Sequence, residues 1–450
     1  MNGKMNRRRF IKSGAAAGIG YFAVADVTES RAVRQNDPLN RLNIAIIGAG
    51  GQGGGNLSSL AKLNENIVAL CDVDAREASG SFNKYPTVAK YQDYRIMLDK
   101  QKDIQAVVVS TPDHHHVFAS MAAMKMGKHV YCEKPLTHSV WEARQMRELA
   151  AKQKVATQMG NSGTAGTGFR EGVEVVRSGA IGDVREVHCW TNRPIWPQGM
   201  DQPAPPQDVP KTLAWDLWLG PAPARPYNAA YAPFKWRGWW DFGTGAIGDM
   251  ACHTMNQAYM ALELGAPSSI VAETDRPVNN QSPPSRQPAD GNPGAGLMVT
   301  YVFPARGKRP AVTMKWYEVR RPPLELLQGQ KFVESGCLMV GSKGTFYSPS
   351  DYGGSYRLLP VKNFERYKPP QPTLPRSPGH HEEWIRACKG GAPAMANFDY
   401  AGPLTEMALL GNVAIRAGKR IDWDAANLRA RGLAAADQYI RREYRKGWTF

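Results

Sequence analysis

The N-terminal part of this chain predicts an α/β fold organised on a doubly wound parallel sheet. Three observations carry the expectation. The run Leu42 to Ile47 is almost wholly apolar, as suits a parallel strand buried on both faces, and it breaks into a glycine-rich turn. A second apolar run, Asn66 to Leu70, ends in Cys71-Asp72-Val73-Asp74. Strand and helix patterns then alternate as far as Met159, the texture of strand–helix–strand units. At 450 residues the chain is too long for one ordinary core, so a second domain is expected after the first.

Taken in order, the chain opens on Asn6-Arg7-Arg8-Arg9-Phe10-Ile11-Lys12, which reads as a twin-arginine export signal. Ser13 to Val24 is apolar but too short and too weak for a membrane span, and Ala23-Val24-Ala25 offers a cleavage site of small residues. Residues 1–25 are therefore expected to be a leader and 26–40 a polar linker, which predicts a periplasmic protein with no membrane contact beyond export. Removing the leader takes away Lys4, Arg7, Arg8, Arg9 and Lys12 and no acid, which trims the formal charge of +16. The remaining basic residues are scattered and carry no binding signature, so no nucleic-acid partner is expected. A composition 42% hydrophobic and 21% charged excludes a disordered chain.

The turn after the first strand is Gly48-Ala49-Gly50-Gly51-Gln52-Gly53, a G-x-G-x-x-G leading into a helical pattern. Its glycines serve a tight turn, close approach of backbone to a pyrophosphate and close helix–strand packing, and the helix start offers free N–H groups to phosphates. Asp72 lies 19 residues after Gly53, where such a unit places the carboxylate that accepts hydrogen bonds from ribose hydroxyls. No lysine or arginine directly follows Asp72, whose charge repels a 2′-phosphate. NAD is the expected cofactor, while Arg76 leaves NADP open. An exported protein has no nicotinamide pool to exchange with, so the dinucleotide is expected to be held tightly and recycled in place.

Further strands are expected at Ile104 to Val109, His129 to Cys132 and Val155 to Met159, with helices over Asp113 to Met126 and Ser139 to Lys152. Beyond residue 160, Arg193 to Phe242 is crowded with proline and aromatics, and seven of the twelve tryptophans fall between Trp190 and Trp240. A long ordered loop is expected there, with at least two aromatics facing sugar rings, although a buried core accounts for several of them. Arg276 to Gly296 reads as a second proline-rich loop, and Met298 to Phe303 and Ala311 to Tyr317 alternate like strands. The six cysteines show no disulfide-framework spacing and are expected to be mostly free and buried.

Chemistry-bearing residues cluster at expected strand ends. Ser110-Thr111-Pro112-Asp113 follows one strand, and Glu133-Lys134-Pro135 follows another. A lysine beside a nicotinamide can hold a substrate hydroxyl; taken alone, Lys134 reads more readily as an ordinary salt-bridged surface lysine. His114, His115 and His116, consecutive on a helix start, point in different directions, and no metal site is expected. Asp249 and His253 are four apart in a helical run and share one face. Histidine suits proton transfer near neutral pH and a carboxylate can orient it, while the bland alternative is a polar pair capping a core helix.

Together, the glycine turn, Cys71-Asp72-Val73-Asp74, Thr111-Pro112-Asp113-His114, Gly127-Lys128-His129-Val130-Tyr131-Cys132-Glu133-Lys134-Pro135 and Gly248-Asp249-(x3)-His253 resemble the Gfo/Idh/MocA oxidoreductase family. Phe398 to Leu410 is similar to its C-terminal return helix, and Trp215 to Pro221 to a secreted branch. The resemblance implies a Rossmann domain over 41–160 and a C-terminal α/β domain with a large, mostly antiparallel sheet over 161–450. It implies that Lys134 contacts the sugar, that Pro135 follows a cis bond, and that His253 is the acid/base residue with Asp249 its orienting or substrate-binding partner. Glu133, His116 and Asn161 would line the nicotinamide side, beside Gly48, Gly50, Gly51, Gln52, Gly53, Asp72, Thr111 and Pro112. The implied activity is NAD(P)-dependent oxidoreduction of a carbohydrate, in a homo-oligomer (dimer or tetramer). The alternatives are an NAD-dependent glycoside hydrolase working by transient oxidation, and a non-catalytic sugar-binding relative.

Overall fold

Six short strands form the first sheet: β1 Asn43–Ile47, β2 Asn66–Cys71, β3 Ala89–Tyr91, β4 Ala106–Val109, β5 His129–Cys132 and β6 Thr157–Met159. They are parallel throughout, in the order β3-β2-β1-β4-β5-β6. The order reverses between β1 and β4, which opens a crevice at the carboxyl ends of the strands. The glycine turn, Asp72, Ser110 and Glu133 all follow strand ends at that edge. This computed structural model describes residues 40–284 and 296–450. The export signal, the linker apart from its last residue, and the middle of the loop expected at Arg276 to Gly296 lie outside those residues.

Several boundaries differ from expectation by a residue or two. The strand expected from Ile104 starts at Ala106, and the one expected from Val155 starts at Thr157. The helix expected from Asp113 opens as a 3₁₀ turn, Asp113–His115, before the α-helix His116–Lys125. The helix Val140–Gln153 starts on a reciprocal cap. Ser139 Oγ accepts from the Glu142 amide and the Glu142 carboxylate accepts from the Ser139 amide.

The second sheet has nine strands: β7 Val184–Thr191, β8 Ser269–Thr274, β9 Leu297–Phe303, β10 Val312–Glu318, β11 Gly336–Gly341, β12 Thr345–Ser348, β13 Arg357–Leu359, β14 Ile421–Asp424 and β15 Arg429–Ala430. Their order is β13-β12-β11-β7-β10-β9-β8-β14-β15, antiparallel except for the β7–β10 pair. β9 buries every second residue, the period the sequence showed.

The chain then returns to the first sheet. Trp384 and Ile385, on the helix His380–Cys388, join the core beneath β1 and β4. The helix Phe398–Ala417 lies against both the helix Val140–Gln153 and the helix Gly245–Thr254. Leu42–Phe450 accordingly pack as one unit.

The stretch from Asn192 to Gly243 is long and largely irregular, with only the short helix Trp215–Leu219 and the turn Lys235–Gly238. Its aromatics mostly serve each other. Trp218, Tyr227, Tyr231, Trp236, Trp239 and Phe242 form their own buried cluster, with Trp215 stacked on Trp218. Five cysteines are buried and Cys388 is half-buried, all of them free.

Candidate active site

At the first turn Gly48 has φ of +81°, and a Cβ there would stand 2.7 Å from the Ser110 backbone. A Cβ at Gly53 would run into the Gly48 carbonyl, so this glycine sets the closeness of helix and strand. The Gly50 amide donates to Asp72 Oδ2 (3.0 Å) and the Asp74 amide to Oδ1 (2.9 Å), which locks the acid beside the turn. Burial raises the Asp72 pKa, and these amide donors pull against it. Arg76, the residue that left NADP open, has its guanidinium 3.3 Å from Glu77 and 3.7 Å from Asp74.

The second group forms where β5 meets the helix Gly245–Thr254. Asp113 accepts from the Thr244 amide (3.1 Å) and the Thr244 hydroxyl (2.6 Å), anchoring the start of that helix to the end of β4. The helix brings Asp249 to Lys134, whose Nζ donates to Oδ1 at 2.6 Å and to the Asp249 carbonyl at 3.1 Å. Arg237 Nε lies 3.1 Å from the same carboxylate and Arg193 Nε 3.8 Å. Burial by itself would raise the Asp249 pKa. Lys134 and Arg237 instead carry it well below the usual carboxylate range. Asp249 thus serves Lys134 first, rather than orienting the histidine one turn on. His253 is buried, its Nδ1 makes no hydrogen bond, and its ring meets Tyr352 edge-on at 4.7 Å. Burial and then Lys134 push its pKa well below 6.5, against Asp249, so it is neutral at physiological pH.

Glu133 accepts from Gln52 Nε2 (3.2 Å) and Asn56 Nδ2 (2.9 Å), linking the glycine-turn helix to the end of β5. His116 is spent on two backbone carbonyls, Pro135 O (2.7 Å) and Thr111 O (2.8 Å). His114 and His115 do not diverge as expected: both direct Nε2 at Trp218 O, at 2.9 Å, because the 3₁₀ turn brings their rings 4.5 Å apart. Among the described residues no group of three or more His, Cys, Asp or Glu is placed to hold a metal ion.

A cavity of about 660 Å³ joins the two groups. Gly48, Gly50, Gly51, Gln52, Asp72, Thr111, Pro112, His116, Glu133, Lys134 and His253 all line it. Its volume lies in the range of small-molecule and cofactor clefts. Three of the expected residues stand back. Gly53 packs the helix, Asp249 acts through Lys134, and Asn161 is fully buried with its amide toward Cys252 O, leaving Gly160 and Ser162 at the wall. Of the aromatic residues in the tryptophan-rich stretch, Trp218, Phe234 and Trp236 reach the cavity. Sequence reading missed Arg237, Tyr352, Asn56 and Trp448. Arg237 lies 4.1 Å over the Trp236 ring, and the adjacency Trp236-Arg237 was the one signal available for it.

Two family models match the chain. One, described as an oxidoreductase family with an NAD-binding Rossmann fold, covers residues 42–161; the other, the C-terminal alpha/beta domain of an oxidoreductase family, covers 178–283. Together they span about half of the chain. An inositol 2-dehydrogenase of Salmonella typhimurium is 30% identical over 151 residues, 33% of this chain and 45% of the relative. A glycosyl hydrolase family 109 protein of Solibacter usitatus is 29% identical over 199 residues, 40% of this chain and 44% of the relative. The match therefore spans less than half the length of these curated relatives. Among solved structures, the WlbA dehydrogenase of Bordetella pertussis, in complex with NADH and UDP-GlcNAcA, superposes with a TM-score of 0.59 at 15% identity, over 85% of this chain and 99% of the other. An inositol dehydrogenase homologue of Azotobacter vinelandii, complexed with NADH and myo-inositol, gives 0.55 at 15%, over 85% and 98%. At such identity these likenesses concern the fold.

Proposed function

The chain belongs to the Gfo/Idh/MocA oxidoreductase family with an NAD-binding first domain, and from that premise we propose that it moves hydride between a tightly held NAD and a hydroxyl-bearing carbon of a sugar, sugar derivative or glycoside. The observation that carries this reading is the shared cavity, lined by the glycine turn and Asp72 in one part and by Lys134 and His253 in another. Bound nicotinamide supplies a carbon that accepts or returns hydride. The chain's own residues do the rest. Lys134, fixed by Asp249, donates to the substrate oxygen and stabilises the negative charge that develops there. Neutral His253 takes the hydroxyl proton as the carbinol becomes a carbonyl, and returns it in the reverse direction. Asp72 accepts from the ribose hydroxyls and the amides of the glycine turn meet the pyrophosphate.

Incubating the NAD-loaded protein with a glycoside panel and searching by mass spectrometry for keto-sugars tests the reading. Lys134→Ala should lower kcat/KM about 10²–10⁴-fold while NAD remains bound; normal turnover by that variant overturns the assignment. A second reading, redox-neutral glycoside cleavage through oxidation, elimination, hydration and reduction, is favoured by the likeness to the glycosyl hydrolase family 109 protein. Release of aglycone from chromogenic glycosides without net NADH selects it. A protein that binds sugars but turns none over would be a non-catalytic relative.

We also propose twin-arginine export to the periplasm and assembly as a homo-oligomer. Cytoplasmic retention of an Arg7→Lys, Arg8→Lys variant checks the first, and light scattering the second.

A further inference from the structure

We infer that the adenosine half of the NAD cleft is closed by residues from outside the parallel-sheet unit, Leu213 and Leu217 of the tryptophan-rich loop and Trp448 of the C-terminal tail, and that this closure retains the cofactor through turnover. The inference rests on the NAD-linked reading above and names the residues that hold the cofactor in.

The loop arrives first. Residues 212–214 lie antiparallel to residues 73–75, directly after the ribose-binding acid. The Ala214 amide donates to Val73 O (2.8 Å) and the Ala75 amide to Thr212 O (3.0 Å), with Asp74 and Leu213 opposed. Leu213 and Leu217 line the cavity together with Asp72, Asp74 and Tyr94.

The tail closes the other side. The Trp448 ring lines the same cavity and is only 8% exposed. It meets His115 edge-on at 5.5 Å, and the Arg95 guanidinium lies 4.6 Å over its face. Arg95 follows β3, the neighbour of the β2 strand that ends just before Asp72, so its contact with Trp448 places that ring toward the Asp72 side of the crevice.

Loop and tail are also bolted to each other, and the tail to the helix Val140–Gln153. Arg445 donates from Nε to Gly220 O (2.8 Å), from its amide to Pro221 O (2.9 Å), and pairs with Asp216. Arg442 Nε donates to the fully buried Glu142 at 2.7 Å, and the Tyr444 hydroxyl to the same carboxylate at 2.9 Å. Neither cover opens without straining the other. The release rate of a ligand beneath a closed element is scaled by the small population in which that element is open. A cofactor kept in this way must be restored in place: hydride and proton taken from one carbinol are returned to a carbonyl in the same site before the next cycle.

The test uses the full-length protein. NAD released by denaturation is quantified, and exchange of the bound pool with excess isotopically labelled NAD is followed by mass spectrometry after rapid desalting. The expected results are near-stoichiometric NAD and exchange slower than turnover. Trp448→Ala and Arg445→Ala should each speed exchange by about tenfold or more, and Trp448→Phe should stay close to wild type. Arg445 is absent from the cavity wall, so its variant carries the test should Trp448→Ala fail to fold. Wild-type exchange faster than turnover, or unchanged exchange in both alanine variants, overturns the closure and leaves the NAD-linked reading standing. A folded protein that neither carries nor takes up NAD overturns both.

Discussion

Both ring nitrogens of His116 face carbonyl oxygens, and an imidazole can donate to both only with a proton on each nitrogen. Burial by itself lowers its pKa; Cys132 and Asp113 beside it and the Pro135 carbonyl carry it up to about 9. A folded-state value above the ordinary 6.5 gives a stabilisation fully present below about pH 6.5 and lost as pH rises through 9. The unfolding midpoint in urea should therefore fall between about pH 6.5 and 9, and His116→Gln should flatten that decline. Asp249 carries the second expectation at this scale. It is the shared counter-ion of Lys134, Arg237 and Arg193, so Asp249→Asn strands three partly buried cations and should cost about 3 kcal/mol in denaturant unfolding. Both residues were visible as motif members, but their partners were not. A spacing of four made His253 the natural neighbour of Asp249, and only the approach of the helix Gly245–Thr254 to the residues after β5 gave that place to Lys134.

At the scale of elements, the first turn shows how far a local pattern reaches. The strand, turn and helix of residues 43–61 came out as read, because chain sterics and burial on both faces act over a few residues. Gly53→Ala puts a methyl against the Gly48 carbonyl and should destabilise by about 3 kcal/mol, with loss of NAD binding by calorimetry; wild-type affinity would refute the packing role given to this glycine. The tryptophan-rich stretch was read with less success. Its irregular, proline-broken course was legible, but its aromatics pack mainly on one another. A ring's composition says that it will be covered, and not by what.

Across the whole molecule, the free cysteines make the simplest check. A thiol reagent should count six thiols after unfolding in denaturant, and natively no more than Cys388. Finding four would show that Cys189 and Cys337, opposed on β7 and β11 with sulfurs 3.5 Å apart, had oxidised.

Sequence by itself determined the parallel sheet of an NAD-binding domain and the glycine turn after its first strand, since each is written in contiguous residues obeying short-range rules, whereas the lysine and the histidine were joined only by resemblance to a family. Tertiary structure alone decided that Asp249 pairs with a lysine 115 positions away, that His116 is consumed as a clip, and that the last residues of the chain return to the cleft that the first strands open. Those outcomes depend on where two sheets and a returning tail come to rest, and burial of apolar surface, which drives that packing, has no direction along the chain.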